Sequence, residues 1–159
     1  MAQFAEFGPA AAWLKRHPQV RCVDLLLADL MGIPRGKRIT AAELEGVHDS
    51  GLLLPGSMFA LDVLGGTVQS TGLGFDEGDA DRVCLPLAGT LVPVPWLGAD
   101  IAQMQVSMYE HDRTPFHGDP RHVLENVVAR FTALGLQPVM AVELEFYLVD
   151  RERTPAGHA

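Results

Sequence analysis

The clearest hydrophobic periodicity in the chain lies between residues 119 and 135. Asp119 is a favourable N-cap residue, and Pro120 suits the first position of a helix. Gly135 stands where a left-handed C-terminal cap is expected. Apolar residues recur between them at spacings of three and four, which predicts a helix with one apolar stripe: Val123, Leu124, Val127, Val128, Phe131 and Leu134.

A strict alternation of apolar and mixed positions follows Pro138 and predicts a strand over residues 139–148. One face of that strand is wholly apolar and should be buried, most simply against the preceding helix. The other face carries Glu143 and Glu145, with Cα atoms about 7 Å apart in strand geometry. Two carboxylates this close repel each other once they are desolvated, so they need a positive partner. A hard divalent cation, Mg²⁺ or Mn²⁺, is one interpretation; an exposed strand with solvated glutamates is the other.

The pattern before residue 112 is of short strands with helices between them. A strand over 20–28 and a returning antiparallel strand over 33–39 flank a turn at 29–32. Thr40 and Glu43 form a capping box that opens a helix over 41–49, and a short helix is predicted over 9–17. Further strands are predicted over 57–63, 82–86, 90–93 and 102–111. This order indicates an α+β fold, a small mixed sheet with a helix on one face.

Composition narrows the possible classes of function. Hydrophobic residues make up 48% of the chain, enough for a real core, and the formal net charge of -8 argues against nucleic-acid binding. The N-terminus lacks the features of a signal peptide, and no apolar run is long enough for a membrane helix. Cys22 and Cys84 lie in apolar strand-like runs and are interpreted as buried free thiols. We therefore expect a soluble cytoplasmic protein, in which the acidic stretch 75–81 is a solvated loop rather than a calcium site.

Two stretches of the sequence, taken together, resemble the glutamine synthetase family. The run 119–150 contains D-P-R at the start of the predicted helix and E-L-E-F-Y-L on the predicted strand, like the family's E-x-E-F-F-L-F. The run 23–39, VDLLLADLMGIPRGKRI, resembles the family's opening hairpin with its D-x-x-G turn and R-G-K strand. The resemblance extends over nearly the whole chain, from about Val20 to Asp150.

The resemblance implies a fold, an activity and two metal ligands. The fold would be an N-terminal β-grasp domain over residues 1–112, followed over 113–159 by the first helix and strand of a glutamine synthetase-type catalytic domain. The family uses ATP to join ammonia or an amine to the γ-carboxylate of glutamate, through a γ-glutamyl phosphate formed between two divalent metals. By the resemblance, Glu145 would bind the metal near glutamate and the amine, and Glu143 the metal at the ATP phosphates. The enzymes are rings in which each N-terminal domain closes a neighbour's active site.

The resemblance also assigns a role to Asp62. A loop of the family's N-terminal domain carries an ammonium-binding Asp within D-G-S-S; here Asp62 is kept, but Val63-Leu64-Gly65-Gly66 follows it. Together with the R-G-K-R hairpin, this departure resembles the γ-glutamylpolyamine synthetase branch, in which a primary amine or polyamine replaces ammonia. An ordinary loop acid is the alternative interpretation of Asp62.

The family's other metal ligands and its ATP and glutamate sites have no counterpart in this sequence. We therefore expect the chain to be the N-terminal portion of such a ligase and to be inactive alone. A short, non-catalytic β-grasp module for assembly or regulation is the alternative. An unrelated α+β protein, metal-binding or purely structural, is a third hypothesis.

Overall fold

A computed structural model describes residues 4–75 and 78–157 of the 159-residue chain, so Asp76 and Glu77 of the acidic loop lie outside the described residues. Among the residues described, no helix is long and apolar enough to cross a membrane. The helices and strands in chain order are α1 (Phe7–Arg16), β1 (Cys22–Ala28), β2 (Pro34–Thr40), α2 (Leu44–Ser50), β3 (Leu52–Pro55), β4 (Asp81–Pro86), β5 (Val92–Pro93), β6 (Ile101–Tyr109) and α3 (Pro120–Ala133).

The strands form one mixed sheet in the order β2-β1-β6-β4-β3. β1 and β6 run parallel, and every other pairing in the described residues is antiparallel. The first half of β6 pairs with β1, and its second half pairs with β4. β5 pairs with residues near the beginning of β6. The predicted α+β class with a small mixed sheet is therefore confirmed.

The opening hairpin forms as the sequence predicts. β2 returns antiparallel to β1, with Cys22 opposite Thr40 and Ala28 opposite Pro34. Gly32 in the turn has φ +74°, a backbone conformation that residues with a side chain rarely adopt. The glycine of the R-G-K stretch has a different role: a Cβ on Gly36 would overlap the carbonyl group of Leu25 on β1. The absence of a side chain at Gly36 therefore lets β1 and β2 approach to hydrogen-bonding distance.

The core lies where β1 and β6 meet the helices. Alternate residues of β1 are buried, with Val23 and Leu25 fully inaccessible to solvent. Leu44 of α2 belongs to the same cluster, and Trp13 and Leu14 of α1 pack against it. The predicted capping box precedes α2: the Thr40 backbone N–H donates to Glu43 Oε2 at 2.7 Å.

The predicted strand over 57–63 is wrong. Residues Gly56–Ala60 form a 3-10 turn instead, and the strand of this region is β3, which precedes it. Phe59 and Ala60 are consecutive and each only 1% exposed. Both side chains are therefore buried by the 3-10 turn rather than by a strand.

The helix α3 begins and ends as predicted. Asp119 Oδ1 accepts a hydrogen bond from the Arg121 backbone N–H at 2.9 Å, which is an N-cap contact. At the other end Gly135 has φ +70°, and the Leu136 N–H donates to the Phe131 carbonyl at 3.0 Å. These bonds form the Schellman arrangement expected for a glycine cap. By contacts, the chain divides into two compact units, residues 1–127 and 128–159; the domain boundary at 112/113 stays a prediction.

The strand predicted over 139–148 is wrong. These residues form neither strand nor helix, and no described residue makes a backbone hydrogen bond with them. The predicted burial of their apolar face is also wrong: Met140, Leu144 and Phe146 are 81%, 79% and 75% exposed. The stripe of α3 is exposed as well, from 38% at Val128 to 75% at Leu134. A strand requires a neighbour for its backbone N–H and C=O groups, which an alternating sequence cannot supply by itself.

Candidate functional site

Asp62 occupies a tight loop that its own carboxylate holds together. The loop is closed by a bridge between Leu61 and Thr67, and the Asp62 N–H donates to the Gly66 carbonyl at 2.8 Å. Asp62 Oδ1 accepts hydrogen bonds from the backbone N–H groups of Leu64 and Gly66, both at 2.8 Å. The carboxylate is therefore fixed through one of its two oxygens.

The second oxygen, Oδ2, has no hydrogen-bond donor among the described residues. The Asp62 side chain is half-buried, so this oxygen is not sealed inside the protein. Gly66 lies beside it, since a Cβ added at that position would be 3.0 Å from Oδ2. One carboxylate oxygen thus holds the loop, and the other can accept hydrogen bonds from a cationic N–H group.

A buried ion pair connects this loop to the opening hairpin. Arg35 Nε donates to Asp29 Oδ2 at 2.6 Å, and Arg35 Nη2 donates to the Asp62 backbone carbonyl at 2.9 Å. The Asp29 side chain is fully buried, and its Oδ1 accepts the N–H groups of Met31 and Ile33, both at 2.8 Å. Burial raises the pKa of Asp29, but the bonds from Arg35 and the two amides outweigh it and leave the pKa lowered.

The Asp29–Arg35 pair was not predicted from the sequence. Asp29 was interpreted as a turn residue, and Arg35 as part of the R-G-K resemblance. The available signal was an acid at the start of a D-x-x-G turn with an arginine six residues later. The two side chains meet because β2 returns antiparallel to β1, and the spacing alone does not predict that return.

Glu143 and Glu145 lie in the second unit, and Asp62 lies in the first. Both glutamates are exposed, and no described residue forms an ion pair or hydrogen bond with either. Across residues 4–75 and 78–157, no three histidine, cysteine, aspartate or glutamate side chains come together as a metal site. Carboxylate oxygen is the ligand that Mg²⁺ and Mn²⁺ prefer. The donor chemistry of the two glutamates fits such ions, but two carboxylates are too few to complete a six-coordinate site.

Comparison with known proteins agrees with both stretches on which the resemblance depends. The sequence model of the catalytic domain of glutamine synthetase matches residues 117–158. Gamma-glutamylputrescine synthetase PuuA of Escherichia coli (strain K12) is 43% identical over 146 residues, which are 92% of this chain and 31% of that protein. The glutamine synthetase of Pyrococcus horikoshii is 29% identical over 134 residues, 84% of this chain and 27% of that protein.

Solved structures show the same relationship in the fold. A crystal structure of a novel glutamine synthase homolog superposes with a TM-score of 0.62 at 27% identity, over 72% of this chain and 27% of that one. A GmaS/ADP complex gives a TM-score of 0.61 at 21% identity, over 78% of this chain and 25% of that one, which shows the fold alone.

The chain belongs to the glutamine synthetase family. It spans about a third of the length of the curated relatives it matches. Its identity to the γ-glutamylputrescine synthetase exceeds its identity to the glutamine synthetase by 14 percentage points, 43% against 29%. This difference supports the γ-glutamylpolyamine synthetase-like branch.

Proposed function

We propose that this chain is part of an ATP-dependent ligase that joins a primary amine or polyamine to the γ-carboxylate of glutamate. The observation that carries the proposal is the 43% identity to γ-glutamylputrescine synthetase over 92% of the chain. The mixed sheet with its packed helices supports a β-grasp domain over residues 1–112, with the catalytic domain beginning in 113–159. The free thiols of Cys22 and Cys84 are in keeping with a cytoplasmic protein.

In this proposal Asp62 binds the amine substrate. Its Oδ2 would accept a hydrogen bond from the ammonium group and lower the energy of that cation at the site. Val63 and Leu64, which are 66% and 92% exposed, follow Asp62 where the family's ammonium-binding loop has glycine and serine. Exposed apolar side chains beside a carboxylate suit the methylene chain of an alkylamine better than they suit ammonia.

We also propose that Glu143 and Glu145 are ligands of two separate divalent ions in the complete protein. Such ions would neutralise the phosphates of ATP and polarise the reacting groups. Residues outside this sequence would have to complete both sites, so we expect no ligase activity from these 159 residues alone. An oligomeric ring, in which the loop of Asp62 serves a neighbouring subunit, belongs to the same proposal.

The direct test is an assay of the complete protein with glutamate, ATP, Mg²⁺ or Mn²⁺ and a panel of amines. We expect kcat/KM for putrescine or a similar alkylamine to exceed that for ammonium by about tenfold or more, equivalent to roughly 1.4 kcal/mol. A preference for ammonium over every amine would contradict the branch, and no amine-dependent ADP release would contradict the ligase.

Substitutions test the proposed residues. Asp62→Asn should raise the KM for the amine, whereas Asp49→Asn, an exposed acid on α2, should not. Gly66→Ala should raise the same KM more for a bulky amine than for ammonium, because the new methyl group would crowd Oδ2. Glu143→Gln and Glu145→Gln should each weaken Mn²⁺ binding measured by calorimetry. Glu152→Gln, in the same exposed stretch, is the control, and equal affinities in all three variants would refute the metal assignment.

A further inference from the structure

We infer that Arg35, held in place by Asp29, is a positioning residue that determines where the Asp62 carboxylate points. The inference rests on the proposed function of Asp62 as the amine-binding group. It assigns a role to two residues of the opening hairpin that lie 27 and 33 positions before Asp62 in the sequence. Arg35 would not touch the substrate; it would act through the backbone of the loop.

Arg35 is placed to control the loop. Among the described residues outside 60–68, it alone donates a hydrogen bond to residues 61–66. Its Nη2 binds the Asp62 carbonyl, which also accepts the Gly65 N–H at 3.1 Å. The carbonyl and the carboxylate belong to one residue, so displacing the carbonyl also moves Oδ2.

Arg35 is in turn rigidly held. Its Nε binds Asp29, whose carboxylate is fully buried and fixed by the two amides of the hairpin turn. The guanidinium is a planar fork, so it can bind Asp29 with one nitrogen and the Asp62 carbonyl with another in a single geometry. A continuous series of hydrogen bonds thus runs from the turn at 29–33, through Arg35, to the loop of Asp62.

A second arginine on β2 provides a matched control. Arg38 binds Asp24 on β1 through two hydrogen bonds of 2.7 and 2.9 Å. Its side chain is 49% exposed, against 18% for Arg35, and it makes no described contact with the loop. Replacing Arg38 removes an ion pair of the same chemistry from the same strand without touching Asp62.

The first measurement is amide hydrogen exchange in this chain. Arg35→Met should accelerate exchange at Gly65 and Gly66 by about ten- to a hundredfold, the range expected when a hydrogen bond from a charged group is lost. Arg35→Lys retains a cation for Asp29 but lacks the fork, so it should fold normally and accelerate exchange to an intermediate degree. Arg38→Met should leave both amides unchanged. Equal exchange in the Arg35 variants and Arg38→Met overturns the inference.

The second measurement separates this inference from the proposed function. In the complete protein, Arg35→Lys should raise the KM for the amine several-fold while the KM for ATP stays the same, a split that general loss of stability does not produce. If Asp62→Asn raises that KM and Arg35→Lys does not, the positioning role is wrong and the role of Asp62 stands. If Asp62→Asn has no effect on that KM, the proposed function of Asp62 fails and the inference fails with it.

Discussion

Asp119 connects the start of α3 to β6, and its removal gives the most quantitative prediction from this structure. Its side chain is buried, and the two carboxylate oxygens have different partners. Oδ1 caps α3 through the Arg121 N–H, and Oδ2 accepts the buried N–H of Met108 on β6 at 2.8 Å. His122 Nε2 lies 2.8 Å from the Met108 carbonyl, so both backbone groups of Met108 are bound by this turn.

The expected cost of Asp119→Ala follows from these two contacts. Loss of the N-cap costs about 1 kcal/mol. The Met108 N–H is left buried without its partner, which costs about 1–3 kcal/mol. We therefore expect the free energy of unfolding to fall by roughly 2–4 kcal/mol. Asp119→Asn keeps one acceptor oxygen and a good N-cap residue, so it should lose less than Asp119→Ala.

Urea denaturation monitored by tryptophan fluorescence is the appropriate assay. Both tryptophans, Trp13 and Trp96, lie in the same unit as Asp119. Asp49→Ala, at an exposed position with no described hydrogen bond to its side chain, is the control and should change stability by less than about 0.5 kcal/mol. If Asp119→Ala behaves like that control, or if Asp119→Asn is the worse of the two, the reasoning about the buried Met108 N–H is refuted.

Three further predictions concern a thiol, a carboxyl group and the exposed C-terminal stretch. Burial raises the pKa of the Cys84 thiol to about 12, so iodoacetamide at pH 8 should label the half-buried Cys22 well before Cys84, as mass spectrometry over time would show; equal rates would contradict this. The pKa of Asp29 is lowered in the folded state, so its charged form stabilises the fold. This contribution to the free energy of unfolding is fully present above the unfolded pKa of about 4 and is lost as the pH falls through the folded pKa. The destabilisation caused by Asp29→Asn should accordingly shrink below about pH 4 in urea titrations, and a pH-independent difference would count against the ion pair. Leu144→Ser should lower the free energy of unfolding of this chain by less than about 0.5 kcal/mol, whereas Leu25→Ala in the core should lower it by about 2–5 kcal/mol. Similar losses in urea denaturation would show that Leu144 is buried in solution.

Elements defined by their own local sequence were predicted well. The hairpin, the capping box at Thr40 and both ends of α3 depend on contacts within a few residues, and the residue types that form them are distinctive. The strand predicted over 57–63 failed for the opposite reason. Its apolar run has no strict alternation, and the 3-10 turn that it forms places Phe59 in the hydrophobic core.

The candidate site shows the same division between local and long-range information. Asp62 was predicted from its partial resemblance to a family motif, and its role stays a prediction; the hydrogen bonds that fix its carboxylate lie within the loop. Its connection to Arg35 spans 27 positions and depends on how the hairpin and the loop pack, which no periodicity encodes. Asp119 was predicted as a cap, but its second bond, to Met108, could not be predicted, because that bond requires the position of β6.

The stretch 139–148 shows why an E-x-E pattern needs more than alternation to become a metal site. Alternation places Glu143 and Glu145 on one face only if the backbone is held extended, and sheet hydrogen bonds are what hold it so. In this structure no described residue provides those bonds, and five apolar side chains on the opposite face stay exposed: Met140, Val142, Leu144, Phe146 and Leu148. Large exposed apolar surfaces are costly in water and commonly mark an interface. In a complete protein, hydrogen bonds from neighbouring strands would hold this stretch extended and keep both carboxylates on one face. Under the proposed function, sheet pairing and metal binding should therefore appear together.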